Sequence, residues 1–450
     1  MVTHEGKIHL VIVQAAKRIR GRIRVPGDKS ISHRAAMIAA LADGASHVTN
    51  YSTSADCAAT LSCLRQLGVR IEGTGNDVTI YGVGPGGLRA PDAPLDCGNS
   101  GTTMRLLAGI LAGCDFEATL TGDESLRSRP MQRIIEPLEM MGANISSNDG
   151  RAPLTIRGSK RLKAINYELL VASAQVKSCI LLGGLPAEGK TTVIENEATR
   201  DHTERMLKLF GANIETGKPE REPENARFAS LDGRAQLHAC DVDVPGDISS
   251  AAYFIAAAAL LPESFLEVNR VGLNETRAAF IETLQQLGSN VVIDDLGVQS
   301  NEPVGSVRVT GKEVRISDRI DSTLTVNGLA IPKLIDELPL IAVFGSQIEG
   351  GIEIRDAREL RVKESDRIST TVENLRAMGA QVEEFEDGLR VNGLMKLRGA
   401  KIDPRGDHRI AMAFAVAGLL AEGETEIAGA ECVAVSFPEF FELLESVVER

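Results

Sequence analysis

The residues best suited to chemistry in this chain lie where helices open. Short polar clusters precede Ala- or Leu-rich runs: GDKSISHR from Gly27, GNSGTTMR from Gly98, SAQVKS from Ser173, GDISSA from Gly246, IDELP from Ile335 and GDHRIAM from Gly406. A helix N-terminus exposes free N–H groups and the positive end of the helix dipole, so it suits anions. Capping by Asp28, Asn99, Ser173 or Asp247 accounts for one residue per opening. It does not account for Lys29, Arg34, Arg105, Lys177 or Arg409, because the dipole disfavours a cation at that end. A cation there points to a ligand whose negative charge offsets it. Ser30, Thr102, Gln175 and His408 add hydrogen-bonding groups alongside.

Two further clusters fit an anion site. LTGDESLRSRPMQR places Arg127 and Arg129 just before Pro130, on a loop entering a helix. LRVKESDRI interleaves Arg361, Lys363, Glu364, Asp366 and Arg367. Taken alone, KESDR reads as a solvated helix face with i,i+4 pairing.

The elements that must position these groups recur along the chain. LRQLGVRI, LEMMGANI, LKLFGANI, LQQLGSNV and LRAMGAQV each describe a helix that ends at a glycine and feeds a strand; the glycines are Gly68, Gly142, Gly211, Gly288 and Gly379. The polar openings interleave with them, and their anchors Asp28, Asn99, Ser173, Asp247, Asp336 and Asp407 are 71 to 89 residues apart. Six units of this length imply one supersecondary unit copied along the chain. Each reads strand, helix, strand, helix, strand, strand. The last unit ends on the helix FFELLESVVER without its strand, and residues 1 to 17 read as a leader into the first strand. The runs AAMIAALADG, AAYFIAAAALL and AMAFAVAGLLAEG are apolar nearly all round, so these helices are expected inside a domain. VPGD occurs at 25–28 and again at 244–247 and marks the seams. The expectation is two domains of three units, 27–245 and 1–26 plus 246–450, with ligands in a cleft between them.

Bulk properties narrow the function. A chain of 450 residues exceeds what one core supports. At 43% hydrophobic and 25% charged it is globular in composition. A net charge of -13 and 4% aromatics argue against a nucleic-acid or anionic-membrane binder. The seven cysteines form no C-x-x-C pair and have no His at metal-ligand spacing, which fits reduced cysteines in a cytoplasmic protein and no metal. The short apolar run Leu10–Val13 is neither a signal-peptide core nor a membrane span.

Together the motifs PGDKSISHR, GNSGTTMR, SRPM, SAQVKS, TRDHTERM, IDELP, LRVKESDR and GDHRIAM resemble the 5-enolpyruvylshikimate-3-phosphate synthase family, in family order from about residue 20 to about 445. The resemblance implies an α/β (α+β) fold: a two-domain inside-out α/β barrel-like architecture of six β-α-β-α-β-β units, three per domain. It implies transfer of the enolpyruvyl group of phosphoenolpyruvate to the 5-hydroxyl of shikimate 3-phosphate, with release of phosphate and no cofactor. On the matching positions, Lys29, Ser30, Arg34, Ser173, Ala174, Gln175, Arg200, Asp336 and Lys363 are implied for shikimate 3-phosphate. Lys29, Asn99, Gly101, Arg129, Gln175, Glu364, Arg367, His408 and Arg409 are implied for phosphoenolpyruvate. Asp336 matches the base for the 5-hydroxyl and Glu364 the acid for the methylene carbon, with Lys29 a second candidate acid. Most shikimate 3-phosphate contacts are expected in the first domain, and the base and phosphoenolpyruvate contacts in the second.

This sequence departs from parts of the family pattern. Ser173-Ala174-Gln175 stands where many members have Ser-Ser-Gln, so a contact at 174 passes to backbone or to Arg200. Val435 stands where one branch has a C-terminal Lys, which removes a cation from the phosphoenolpyruvate site. Gly101 is retained, so inhibition by glyphosate is expected, with Leu106 in place of a frequent Pro. The sister enzyme acting on UDP-N-acetylglucosamine usually carries a cysteine on the loop that here runs from Thr121 to Arg133 without one, and Lys-Asn where this chain has Lys29-Ser30. A non-catalytic repeat scaffold has no use for Asp336, Glu364 and three arginines together. An RNA-processing enzyme on a related fold is disfavoured by acidity and few aromatics. A monomer is expected, with domains that close on ligand because opposed basic residues repel without it.

Overall fold

The computed structural model describes residues 10–220, 223, 225–311 and 323–450. The chain separates into two units: Gly27–Pro245 with Val298–Glu302, and Met1–Pro26 with Gly246–Gly297 and Pro303–Arg450.

In the first unit three buried helices, α1 (Lys29–Leu41), α2 (Gly101–Ala112) and α3 (Ala174–Gly184), run beneath three four-stranded sheets. The sheets share one plan. Leu95–Asp96 pairs in parallel with Glu117–Thr121, which pairs antiparallel with Arg151–Arg157, itself antiparallel to Asn144–Asn148. The buried helix makes the parallel crossover and the outer helix, here Gln132–Met141, leads into the hairpin. On Arg151–Arg157 the side chains of Ala152, Leu154 and Ile156 are buried while Arg151, Pro153 and Arg157 are exposed. Helices therefore occupy the interior and sheets the outside, which is why α1 and α2 are apolar nearly all round. Their contact is backbone-close: a Cβ on Gly109 of α2 would lie 2.2 Å from the Cys179 carbonyl oxygen of α3.

The second unit holds α4 (Ile248–Leu260), α5 (Leu338–Gly345) and α6 (His408–Leu420). Leu324–Val326, Ile352–Ile354, Gly388–Val391 and Val382–Phe385 repeat the four-stranded plan. The other two sheets borrow strands from the chain's beginning. Arg18–Ile23 runs parallel to Phe265–Gly272, although it immediately precedes α1 in sequence. The first sheet of the first unit is completed instead by Val242–Asp243, parallel to Val48 and Thr49. The two crossing points carry matched backbone bonds within their own units: Asp28 N–H donates to the Pro245 carbonyl at 2.8 Å, and Asp247 N–H to the Pro26 carbonyl at 2.9 Å.

Two expectations are corrected at the termini. Leu10–Gln14 is a strand, antiparallel to Glu424–Ala428, with Val13 in the core. It completes the last repeat, which lacks a hairpin of its own. The rest of the expected leader, residues 1–9, lies outside the described residues. The final helix, Phe440–Glu445, does lead to a strand: Val448–Glu449 pairs with Arg18 and Ile19. Phe440 anchors that helix with ring contacts of 5.7 Å to Tyr253, Phe254 and Phe437, so the scarce aromatics are concentrated here.

The five helix-ending glycines all adopt left-handed backbone, with φ of 90° at Gly68, 107° at Gly142, 91° at Gly211, 81° at Gly288 and 88° at Gly379. That conformation lets the chain reverse from helix into strand without a Cβ clash. Among the described residues no helix is long and apolar enough to cross a membrane.

Candidate active site

In the first unit the openings of α1, α2 and α3 carry one connected polar cluster. Asp28 caps α1 by accepting the Ile31 N–H at 2.9 Å, and Ser173 caps α3 by accepting the Val176 N–H at 3.4 Å. The cap of α2 is Ser100, not Asn99. Asn99 is thereby left for charge recognition: its Oδ1 accepts from Arg129 at 2.7 Å and its Nδ2 donates to Asp123 at 2.7 Å. Arg129 is buried, whereas Arg127 is exposed on the short helix Glu124–Ser128, so the two arginines of that loop part company.

Gln175 ties α3 to α2, accepting from Arg105 at 2.6 Å and donating to Thr102 at 2.9 Å. Gly101 begins α2 beneath two guanidiniums: a Cβ there would lie 2.8 Å from Arg105 Nη1 and 3.4 Å from Arg129 Nη1. On α1, Lys29 Nζ donates to Asp56 Oδ2 at 2.8 Å. Arg34 is buried and donates to the Ser30 carbonyl, to Thr203 at 2.6 Å and to Ser178 at 2.8 Å. Burial pulls its guanidinium down to about 10, with Glu204 opposing and Arg200 adding to the shift. Arg200 is half-buried, and its charge bears on Arg34. Ala174 is the first residue of α3, and its carbonyl accepts the Ser178 hydroxyl at 2.6 Å.

Lys177 is corrected as an anion candidate. It is buried and bonded to Glu195 at 2.9 Å and Glu204 at 2.8 Å, so its charge is spent inside the fold.

In the second unit the centre is Arg367, which is 2% exposed. Its Nε donates to Asp407 Oδ2 at 2.8 Å, its Nη2 to Glu364 at 2.7 Å and its Nη1 faces Asp336 at 3.5 Å. Burial works against the charge, but Asp407, Glu364 and Asp336 outweigh it and leave the guanidinium raised above its ordinary value. The KESDR segment is not a solvated helix face. A 3-10 turn, Arg358–Val362, ends before Lys363, and the helix Arg367–Ala377 starts only after Asp366, which caps it through the Ser369 N–H at 3.1 Å. That break turns Glu364 back onto Arg367. Lys363 is half-buried 3.4 Å from Glu359, and burial pulls its ammonium below the usual range.

Asp407 caps α6 through the Arg409 N–H at 2.9 Å. His408 and Arg409 open that helix and both are buried. Among the described residues Arg409 Nε and Nη1 have no hydrogen-bond partner. Buried guanidinium donors left unmet are costly, so their acceptor is expected to come from a ligand. Asp336 itself does not open a helix: it lies just before Glu337, which precedes α5.

The sequence reading missed Asp56, Asp407 and Thr203 as partners. Asp407 was legible only as a cap, because capping already explains an Asp there. Asp56 and Thr203 had no spacing signal, since they reach Lys29 and Arg34 from neighbouring helices.

Residues 13–444 match the family described as EPSP synthase (3-phosphoshikimate 1-carboxyvinyltransferase). A 3-phosphoshikimate 1-carboxyvinyltransferase from Koribacter versatilis is 51% identical over 98% of this chain and 99% of its own. One from Desulforamulus reducens is 48% identical over 97% and 99%. The solved EPSP synthase of Acinetobacter baumannii superposes with a TM-score of 0.84 at 41% identity, covering 98% of both chains. The enolpyruvyl transferase NikO from Streptomyces tendae shares the fold, with a TM-score of 0.75 at 19% identity over 97% of both chains. With both polar clusters lying on motifs inside the matched span, the chain belongs to the EPSP synthase (3-phosphoshikimate 1-carboxyvinyltransferase) family.

Proposed function

We propose that this chain transfers the enolpyruvyl group of phosphoenolpyruvate to the 5-hydroxyl of shikimate 3-phosphate and releases phosphate, in the shikimate pathway to aromatic amino acids. The observation that carries the mechanism is Arg367, whose guanidinium meets both Asp336 and Glu364. Two carboxylates on one cation are held in register, so one can take a proton while the other gives one.

Asp336 takes the 5-hydroxyl proton. Glu364, or Lys29 in its place, protonates the methylene carbon of phosphoenolpyruvate, and the 5-oxygen bonds to the adjacent carbon. The vinyl group must be regenerated, so a methyl proton leaves again as the C–O bond to phosphate breaks. Atoms then balance with no redox change and no cofactor. Arg129, Arg367 and Arg409 bind carboxylate and phosphate through their planar forks, with Asn99, the Gly101 backbone, Gln175 and His408 beside them. Lys29, Ser30, Arg34, Ser173, Ala174, Gln175, Arg200 and Lys363 hold shikimate 3-phosphate. The first unit, 27–245, supplies most of these contacts and the second supplies the base. The enzyme works as a cytoplasmic monomer.

Phosphate release from purified protein tests this reading. Release is expected with phosphoenolpyruvate plus shikimate 3-phosphate and absent with UDP-N-acetylglucosamine as acceptor. Release only with the UDP-sugar would overturn the acceptor, and release with neither from folded protein would overturn the activity.

A further inference from the structure

The motif TRDHTERM brings Arg200 and Thr203 to the first polar cluster, but its His202 and Arg205 have no part in the mechanism above. Both lie on the outer helix His202–Leu209. Asp201 stands at the cap position of that helix and makes no side-chain cap bond to it. The grip on the helix opening comes from a turn 100 residues further along the chain. That turn, Val298–Glu302, belongs to the first unit and joins the strands Asn290–Gln299 and Glu302–Thr310. Ser300 and Asn301 have φ of 45° and 66°, the left-handed backbone that a two-residue hairpin turn requires. Glu302 follows them, is 1% exposed, and accepts from His202 Nδ1 at 2.8 Å. Arg205 Nη1 donates to the Asn301 carbonyl at 3.1 Å, and Asn301 Nδ2 donates to the Arg205 carbonyl at 3.1 Å. Ser300 Oγ accepts the Asp243 N–H at 2.9 Å, which ties the turn to the strand Val242–Asp243.

Thr203, the next residue on the helix, holds Arg34 through a chain of bonds whose direction is fixed. The Ser178 hydroxyl gives its proton to the Ala174 carbonyl at 2.6 Å. It therefore accepts from the Thr203 hydroxyl at 2.6 Å and from Arg34 Nη2 at 2.8 Å. The Thr203 oxygen in turn accepts the Arg34 Nε–H at 2.6 Å. With the bond from Nη1 to the Ser30 carbonyl, three of the five guanidinium N–H groups are used and two are left for a ligand. Those three bonds set the plane of the fork, and a fork binds phosphate or carboxylate only when its plane is right.

Successive helix residues point about 100° apart, so this first turn is gripped from two sides, by Glu302 on His202 and by Arg34 on Thr203. We propose that Glu302 is a positioning residue for Arg34: its bond to His202 fixes the helix opening, and thereby the Thr203 hydroxyl that orients the guanidinium toward shikimate 3-phosphate. The proposal rests on the functional reading above, which gives Arg34 to that substrate. Removing the Glu302 carboxylate frees His202, lets the first turn shift, and breaks the chain at Thr203.

The first test needs no substrate. In nitrogen-15 NMR of the full chain, the Arg34 Nε–H signal is the one that Arg34→Lys removes. Glu302→Ala should shift that signal and speed its exchange with water about tenfold or more, as loss of a hydrogen bond to a charged group would. Glu302→Gln should leave it near its native position, because the amide oxygen still accepts from His202. Should Glu302→Ala not fold, Glu302→Asp keeps the charge but falls one carbon short of His202, and the same change is expected of it. An Arg34 signal unmoved by the truncation, or moved as far by Glu302→Gln, overturns the proposal. The second test is steady-state kinetics. In the truncated variant KM for shikimate 3-phosphate should rise about tenfold, with kcat and KM for phosphoenolpyruvate unchanged. No rise, or an equal rise in both KM values, overturns the proposal. Absence of any turnover with shikimate 3-phosphate in the native protein would overturn the functional reading instead, and the Arg34 signal would still decide whether Glu302 positions it.

Discussion

Arg367 Nε donates to Asp407 Oδ2 at 2.8 Å, and Asp407 also caps α6 by accepting the Arg409 N–H at 2.9 Å. One carboxylate therefore orients two arginines, one through its charge and one through a helix end. Asp407→Asn separates these roles, because Asn caps as well as Asp but carries no charge. The cap should survive while Arg367 loses its strongest counter-charge. Breaking a buried pair costs about 3–5 kcal/mol. Denaturant melts should show a loss of that order, and kcat/KM should fall at least about a hundredfold, about 2.7 kcal/mol. A variant with unchanged kcat/KM would mean that Arg367 is structural.

Asp336→Asn and Glu364→Gln should each lower kcat by about 10²–10⁴ while the protein stays folded. They should differ in one respect. In deuterated water Glu364→Gln should lose deuterium incorporation into the methylene of phosphoenolpyruvate, because the proton donor to that carbon is gone. Undiminished incorporation would move that role to Lys29, which Asp56 holds at 2.8 Å.

Gly101→Ala introduces a Cβ 2.8 Å from Arg105 Nη1 and 3.4 Å from Arg129 Nη1. The guanidiniums can swing, so folding should be little affected, but the anion site must reshape. KM for phosphoenolpyruvate should rise roughly tenfold, about 1.4 kcal/mol, and glyphosate inhibition should weaken by more than that. Equal inhibition of both proteins would show that glyphosate binds elsewhere.

Lys177→Met tests a cation assigned to the fold alone. It leaves Glu195 and Glu204 buried without their shared partner, 2.9 and 2.8 Å away in the native chain. The expected loss is about 3–5 kcal/mol in denaturant melts, with KM for both substrates unchanged in the protein that remains folded.

Much of this architecture was legible because it repeats. The helix-ending glycines needed a left-handed backbone, and the apolar runs could only be interior helices. The ends were not legible for a topological reason. Leu10–Gln14 is short, so nothing local says that it completes a sheet with Glu424–Ala428. At the polar clusters, residue type identified the cations but not their fates. Lys29 and Lys177 both open helices, yet Lys29 stays partly exposed beside Asp56 and Lys177 is sealed between two glutamates. That difference is set by side chains arriving from elsewhere in the unit.

The most direct measurement follows carbon-13 phosphoenolpyruvate and shikimate 3-phosphate by NMR in the presence of the protein. The account predicts an enolpyruvyl ether on the 5-oxygen, formed in equal amount with free phosphate. Phosphate accompanied by pyruvate and no ether, or an ether formed only when UDP-N-acetylglucosamine is the acceptor, would contradict it.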